Sequence, residues 1–568
     1  NTQQIQDFDK VFIQLSKNKS KLIAGDFELR RPDSYFMNLF KKGQGGIFTT
    51  EYPSGLDNGS VMRTTVSGAV SKGKYARKPF NGLEGNQGPY KLTGADNEPF
   101  IIILSGSEKV FIDGKLLVRG ESNDYVIDYN TSEIRFTPKQ PITKDKRIVV
   151  EFQYSDKNYA RTMYFINQEY EDKRWKVKAN IFSEQDSKNQ PLLQDLDNEQ
   201  KAILASVGDS IFNAAYPSID SVAFNSSEVL YEKIDSAGYV FYRYSTDSTK
   251  ARYRLGFSLL GKNRGNYEPV AAGANGRVFR WIEPLNGVPQ GTYEPVTLLV
   301  SPKKQQLFTF GSDYKTRYGK VFVEGSMSRN DINLFSEFDK SDDTGLALAG
   351  GVEQVLPLTR DTLRGWKMMT DFRFEHVNAR FKPLESYRSV EFTRDWNLAT
   401  GTPASDELAL TAGIRFIRSD KSFGYRFRTF QGAEKYRGYM NMADLRWLSG
   451  KYTFSSDASW LLSDSKALNT SFLRSSNQVA RKVGKFTGGI RYDQERNLQY
   501  AGASDTLSPL SRAFDVFKLF MSSPDSGRIR YSGDVSRRFD RAASADVLRE
   551  AARADEFSGR MDLYGNKG

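Results

Sequence analysis

Residues 484–492 read Gly484-Lys485-Phe486-Thr487-Gly488-Gly489-Ile490-Arg491-Tyr492. On an extended chain Phe486, Gly488, Ile490 and Tyr492 fall on one face, and Lys485, Thr487, Gly489 and Arg491 on the other. Period-two alternation is the mark of a β-strand, because successive side chains of an extended backbone point to opposite sides. The pattern recurs along the chain. In 452–462, Tyr452, Phe454, Ala458, Trp460 and Leu462 oppose Thr453, Ser455, Asp457 and Ser459. In 366–376, Trp366, Met368, Phe372, Phe374 and His376 oppose Lys367, Asp371, Arg373 and Glu375. In 528–538, Ile529, Tyr531, Gly533 and Val535 alternate with Arg528, Arg530, Ser532, Asp534 and Ser536. Segments 174–182, 252–259 and 407–416 alternate likewise.

These segments run ~9–11 residues, the length a tilted strand needs to cross a bilayer, whereas strands of soluble sandwiches run ~5–6. Their polar faces mix Arg, Lys, Asp and Glu, as a wet barrel lumen allows, and aromatic residues gather near strand ends. The expected fold class is therefore all-β: a large antiparallel transmembrane β-barrel of roughly 18–22 or more strands, with an inserted small β domain and long loops that include one short helix. On this reading Phe486, Ile490, Trp460, Phe454, Phe372 and Phe374 face lipid. Lys485, Arg491, Arg528, Arg530, Asp534, Arg373 and Asp371 face the lumen.

Composition agrees. The chain has 568 residues, 13% of them aromatic, yet only 39% hydrophobic and with a mean hydropathy of -0.56. A soluble core of that size would draw more heavily on Leu, Ile and Val. There is no Cys, which excludes disulfides, thiolate metal sites and thiol nucleophiles, and there is one His, His376. The commonest general base and transition-metal ligand is thus nearly absent. The longest apolar runs, such as Phe100-Ile101-Ile102-Ile103-Leu104, fall far short of the ~20 residues of a spanning helix.

Short links such as 17–20, 171–173, 418–422 and 449–451 read as tight turns, and 376–386, 462–469, 494–512 and 538–556 as longer connections. Three parts follow: 1–99 with the first barrel strands, 100–155 as the inserted β domain, and 156–568 as the main barrel with long loops at 187–248 and 263–304. In the inserted domain Asp113-Gly114 marks a type I′ turn between Val110-Phe111-Ile112 and Lys115-Leu116. The domain could plug the lumen or sit on either side of the membrane; Val110, Ile112, Tyr125 and Ile127, with Trp281 in the second loop, are candidate docking residues. The helix should start at Asp197 with Gln200 in the capping-box position and stop at Gly208. The segment from Phe557 begins a further strand, and the natural chain is expected to continue beyond Gly568.

Leu22-Ile23-Ala24-Gly25-Asp26-Phe27-Glu28-Leu29, Ser34-Tyr35-Phe36, Lys42-Gly43-Gln44-Gly45, the runs 106–114 and 124–129, and Asn275-Gly276-Arg277-Val278-Phe279-Arg280-Trp281 together resemble a set of large, functionally uncharacterised outer-membrane β-barrel proteins of Bacteroidota. The resemblance implies outer-membrane localisation in a Gram-negative bacterium. It brings no reaction and no catalytic residues.

Sites of chemistry are few. His376 shares a face with Phe372 and Phe374, which favours a ring at the membrane over a catalytic base. Asp339-Lys340-Ser341-Asp342-Asp343-Thr344-Gly345 has calcium-loop oxygen spacing, but it lacks the sixth-place Gly and the twelfth-place carboxylate, where Gly350 stands. A solvated hairpin tip is the simpler reading. Gly85-Asn86-Gln87-Gly88 and Gly273-Ala274-Asn275-Gly276 are not followed by a capped helix bearing a Lys, so they read as loops. No catalytic residue, metal or cofactor is assigned. The net charge of +12 is spread through mixed-sign strands, which argues against nucleic acid and for anionic lipid, lipopolysaccharide included. The expected role is a non-enzymatic scaffold or channel subunit of an envelope complex for assembly, export or import of macromolecules, with other envelope proteins as partners. A porin-like solute channel is the alternative, and an outer-membrane hydrolase a further one.

Overall fold

A computed structural model describes residues 10–563 apart from 56–58, 96–97, 99, 145, 156–157, 193, 237, 271–276, 362–363, 400–402, 502–505 and 525–528. The fold is all-β, built on one antiparallel sheet of 19 strands. In chain order these are β1 (Phe12–Lys17), β2 (Ser20–Arg30), β3 (Phe40–Pro53), β4 (Val61–Ser71), β5 (Tyr159–Glu171), β6 (Trp175–Pro191), β7 (Lys304–Lys315), β8 (Gly319–Asp331), β9 (Thr344–Pro357) and β10 (Lys367–Val377). They continue as β11 (Glu407–Arg418), β12 (Lys421–Gly432), β13 (Tyr436–Ser449), β14 (Tyr452–Asp464), β15 (Leu468–Val483), β16 (Phe486–Ala501), β17 (Arg512–Ser522), β18 (Ile529–Ser544) and β19 (Val547–Leu563). From β2 to β18 each strand pairs with the one before and the one after. Thus β4 lies beside β5, with Val70 opposite Thr162, and β6 beside β7, with Asn180 opposite Thr309, despite the long segments between them. Among the described residues β1 pairs only with β2, and β19 only with β18.

The sheet is polar inside and apolar outside. In β6 Lys178, Asn180, Phe182, Glu184 and Asp186 are buried, while Trp175 and Ile181 on the other face are exposed. Phe310, Val323, Leu348, Phe427, Trp460, Ile490, Leu519 and Val535 continue the exposed apolar face across the sheet. Laid flat, its strands from β2 to β18 would spread over roughly 80 Å at ~4.8 Å per strand. The same interior segments nevertheless touch the inner faces of β2 and of β16, so the sheet is curled around them.

Every link of ten residues or more lies at one end of the sheet: 72–158, 192–303, 332–343, 378–406 and 502–511. The other end has tight turns such as 18–19, 419–420 and 450–451, and between described strands no link there is longer than 358–366.

Residues 72–158 carry the small β domain. Its main sheet pairs Lys74–Asn81 with Arg147–Ser155, and the latter with Lys109–Ile112. A second sheet joins Tyr90–Lys91, Glu133–Phe136 and Tyr125–Asp128. The domain therefore starts near Lys74 rather than Phe100, because its first strand is the partner of its last. Asp113 and Gly114 both have positive φ, 50° and 79°, as the type I′ turn demands.

Four further expectations are corrected. Residues 252–259 alternate but lie in small rim sheets within 192–303, where Tyr253–Leu255 and Ser258–Leu259 find partners, and not in the wall. Most of 462–469 is strand, leaving only 465–467 as a link. Residues 538–556 are strand except for the two-residue turn 545–546, because ladder pairing of Arg537 to Ser544 with 547–555 overrides their weak β propensity. Phe557 accordingly lies inside β19 and does not begin a new strand.

Helix α1 (Asn198–Ser206) has the expected capping box: the Gln200 backbone N–H donates to the Asp197 carboxylate, and the Asp197 backbone N–H donates to the Gln200 side-chain oxygen.

Candidate functional site

The concave face of the sheet is filled from three directions. The link 31–39 dips inward after β2, and Ser34 and Phe36 are buried there. Ser34 Oγ donates to Glu324 Oε1 at 2.7 Å, and the backbone N–H groups of Tyr35 and Phe36 donate to the same oxygen at 2.9 Å. Phe36 and Met37 pack with Phe27 of β2, Phe165 of β5, Phe182 of β6 and Leu307 of β7. Apolar residues on an otherwise polar inner face thus mark where the inward link docks.

The second filler is the segment 378–398, after β10. Phe381 and Leu384 join the cluster around Phe36. Tyr35 and Tyr387 both donate to Glu375, Tyr387 at 3.2 Å. Arg388 donates through Nε to Glu375 Oε1 at 3.0 Å, pairs with Glu407, and lies 4.4 Å over the Phe392 ring. Further along, Trp396 is buried among Phe430, Tyr436, Met440, Leu461 and Phe472 of β12–β15. Arg394 pairs with Glu495 of β16, and Arg474 of β15 with Asp395 at 2.8 Å.

The third filler is the small domain. Arg147 pairs with Glu391 at 3.2 Å, and Arg77 donates to the Val390 carbonyl at 2.9 Å. A cavity of about 440 Å³ separates its 143–147 edge from the inner wall, lined there by Glu495, Arg512 and Arg538. A second cavity of about 470 Å³ lies beside Glu375 and includes Arg373, Arg388, Arg426 and Arg428.

Charge states in the filled interior are largely fixed. Burial raises the Tyr35 and Tyr387 hydroxyls well above the phenol range, and the Glu375 carboxylate adds to this. Burial alone would lower Arg388, but Glu375, Tyr387 and Glu407 hold it above its usual value. Arg388 thus stays a cation and both tyrosines stay neutral donors. Glu385 differs: burial pushes its carboxyl up to about 7 against the Phe40 N–H, Lys41 and Lys109. Phe40 N donates to Glu385 Oε1 at 2.8 Å.

The residues singled out from sequence sit as follows. Phe486, Ile490, Phe454, Trp460 and Phe372 are exposed on the apolar face, and Phe374 is half-buried on the same face. Arg491, Asp371, Arg373, Arg530 and Asp534 occupy the opposite parity in their strands. Arg373 pairs with Glu353, Asp371 with Arg426 and Asp534 with Lys518. Lys485 belongs to the tight turn before β16 and not to the lumen wall, since the strand begins at Phe486. Arg528 and the 273–276 glycines lie outside the described residues. His376 is exposed beside Phe372 and Phe374.

The docking candidates fare differently. Val110, Ile112 and Tyr125 are buried in the small domain's own core, with Ile127 packed against it, so they hold that domain together and present no docking face. Trp281 stacks on Phe241 at 4.1 Å and is half-buried. The groups that do join the domain to the interior, Arg77 and Arg147, carried no signal in the sequence. Glu324 did carry one: a lone carboxylate facing inward beside Ser326 and Ser328, where small side chains leave room for an inserted segment.

Residues 75–156 match the family model described as a domain of unknown function, DUF8818. No curated protein matches the sequence. Two solved structures show a likeness. One is the ferric enterobactin receptor of Pseudomonas aeruginosa, at 7% identity and a TM-score of 0.30 over 92% of this chain and 64% of that one. The other is the ferric-catecholate import receptor Fiu of Escherichia coli K12, at 8% identity and a TM-score of 0.32 over 98% of this chain and 72% of that one. The chain thus spans less than two thirds of the first receptor's length. A likeness at this level carries no functional weight.

Proposed function

We propose that this chain forms the wall and plug of a non-enzymatic outer-membrane channel subunit, part of an envelope complex that assembles, exports or imports macromolecules. The supporting observation is the filled interior: two inward links tied to the wall through Glu324, Glu375 and Arg388, and a small domain tied to the second link through Glu391. An open pore has no use for such filling, whereas a gated passage or docking scaffold needs it. The membrane reading rests on the exposed apolar face opposite a charged interior. Among the described residues no helix is long and apolar enough to cross a membrane. On this reading the outer face meets lipid and lipopolysaccharide, the long-link rim meets other envelope proteins, and nucleic acid is not a partner. A Bacteroidota source follows from the family resemblance.

The second reading, a solute uptake channel, is favoured by the arginine-lined cavity of about 470 Å³ beside Glu375. Gentle detergent extraction, affinity purification and mass spectrometry of the copurifying proteins, followed by conductance in planar bilayers, separates the two. A stoichiometric set of envelope proteins with low conductance supports the complex. A solitary chain that conducts anions overturns it in favour of the uptake channel.

A further inference from the structure

The C-terminal end of α1 is clamped to the link 332–343. Asn333 is fully buried, and its Nδ2 donates to the Leu204 and Gly208 carbonyls at 2.7 and 2.8 Å. Gly208, with φ of +58°, abuts Asp339 so closely that a Cβ there would stand 2.3 Å from its carboxylate. This clamp brings Asp209, immediately after the helix stop, against Asp342 and Asp343, with one carboxylate oxygen of each within 4.8 Å of the others.

Asp343 is the decisive member. It is 3% exposed, and neither of its carboxylate oxygens, both out of solvent, has a hydrogen-bond partner. Asp209 Oδ1 is in the same condition. Lys340 and Arg329 act on Asp343 only through space, and the Lys340 ammonium makes its direct bonds to Asp331 at 2.7 Å and the Asn333 carbonyl at 3.0 Å. Buried carboxylates carry a desolvation cost that only a partner offsets, and like-charged neighbours add to it. A hard divalent cation with oxygen ligands meets both needs at once.

We propose that Asp209, Asp342 and Asp343 form a calcium site that fastens the 192–303 segment to the 332–343 link. This replaces the hairpin-tip reading of 339–345: the sequence spacing was wrong for a single-loop site because one ligand comes from a different link, just after the end of α1. Calcium is favoured over magnesium because three carboxylates on two separate links give an adaptable all-oxygen set rather than a fixed octahedron.

The test uses the full chain in detergent, stripped with EDTA and titrated with calcium chloride by calorimetry. We expect one calcium per chain in this site, and protection of 192–303 from limited proteolysis when it binds. Asp343→Asn and, separately, the exposed Asp342→Asn should each weaken binding roughly tenfold or more by removing a charged ligand. If Asp343→Asn fails to fold, Asp342→Asn still reads the site. Calcium binding unchanged in the variants, no binding at all, or equal binding of magnesium overturns the assignment.

Discussion

Ser34 Oγ donates to Glu324 Oε1 at 2.7 Å, joining residues 290 positions apart in the sequence. The link after β2 is thereby fixed to the inner face of β8, and two backbone N–H groups depend on the same carboxylate. Glu324→Ala would leave the Phe36 and Tyr35 N–H groups without their acceptor. The expected cost is about 2–5 kcal/mol, since an unsatisfied buried donor loses ~1–3 kcal/mol and several are affected. Protease susceptibility of 31–39 in the folded protein, compared with wild type, measures it.

Ile490 and Arg491 test the facing of the wall. Ile490 is 58% exposed between Val479 and Leu519 on neighbouring strands, both also exposed. Ile490→Arg should cost ~2–4 kcal/mol if the residue lies near the bilayer midplane. Arg491→Ala should cost under ~1 kcal/mol, because its pair with Asp493 is half in solvent. Folding titrations into lipid vesicles compare the two; equal costs would contradict an outer lipid face.

The pH response of the plug follows from Glu385. Its folded value of about 7 lies above the ordinary 4.5, so burial of the neutral acid contributes stability that is fully present below about pH 4.5 and is lost as pH rises through 7. The span corresponds to roughly 3 kcal/mol. Proteolysis of 378–398 should therefore slow on acidification from pH 8 to pH 5, and Glu385→Gln should remove most of that dependence. An opposite slope would mean that Lys41, Lys109 and the Phe40 N–H outweigh burial.

The small domain has its own core, in which Ile134, Val110 and Ile148 are fully buried. Residues 74–155 expressed alone should fold, and Ile134→Ala should destabilise them by ~2–5 kcal/mol in urea unfolding. A disordered fragment would show that the domain borrows its stability from the wall.

The wall was legible because period two is written in most of its strands: Phe454 and Trp460, or Asp371 and Arg373, declare their faces locally. Strand ends such as Ser544 were not legible, since Arg, Ala and Asp there pair by ladder geometry against their own propensity. The interior network was largely hidden for a different reason. Tyr35, Glu375 and Arg388 lie on three separate segments, and apart from the lone inward Glu324 nothing in one sequence says which polar faces receive a returning loop. The docking residues failed on burial: Val110 and Tyr125 looked like a surface because a small domain's core is as apolar as a binding patch.

The domain at 72–158 leaves the wall after β4 and re-enters at β5 with no gap in the ladder between them. Its lateral neighbours on the inner wall, Glu495, Arg512 and Arg538, are synthesised hundreds of residues later. Both of its connections leave at the end of the sheet that carries every link of ten residues or more. The cavity between it and the wall is therefore complete only once the last hairpins of the sheet have been made.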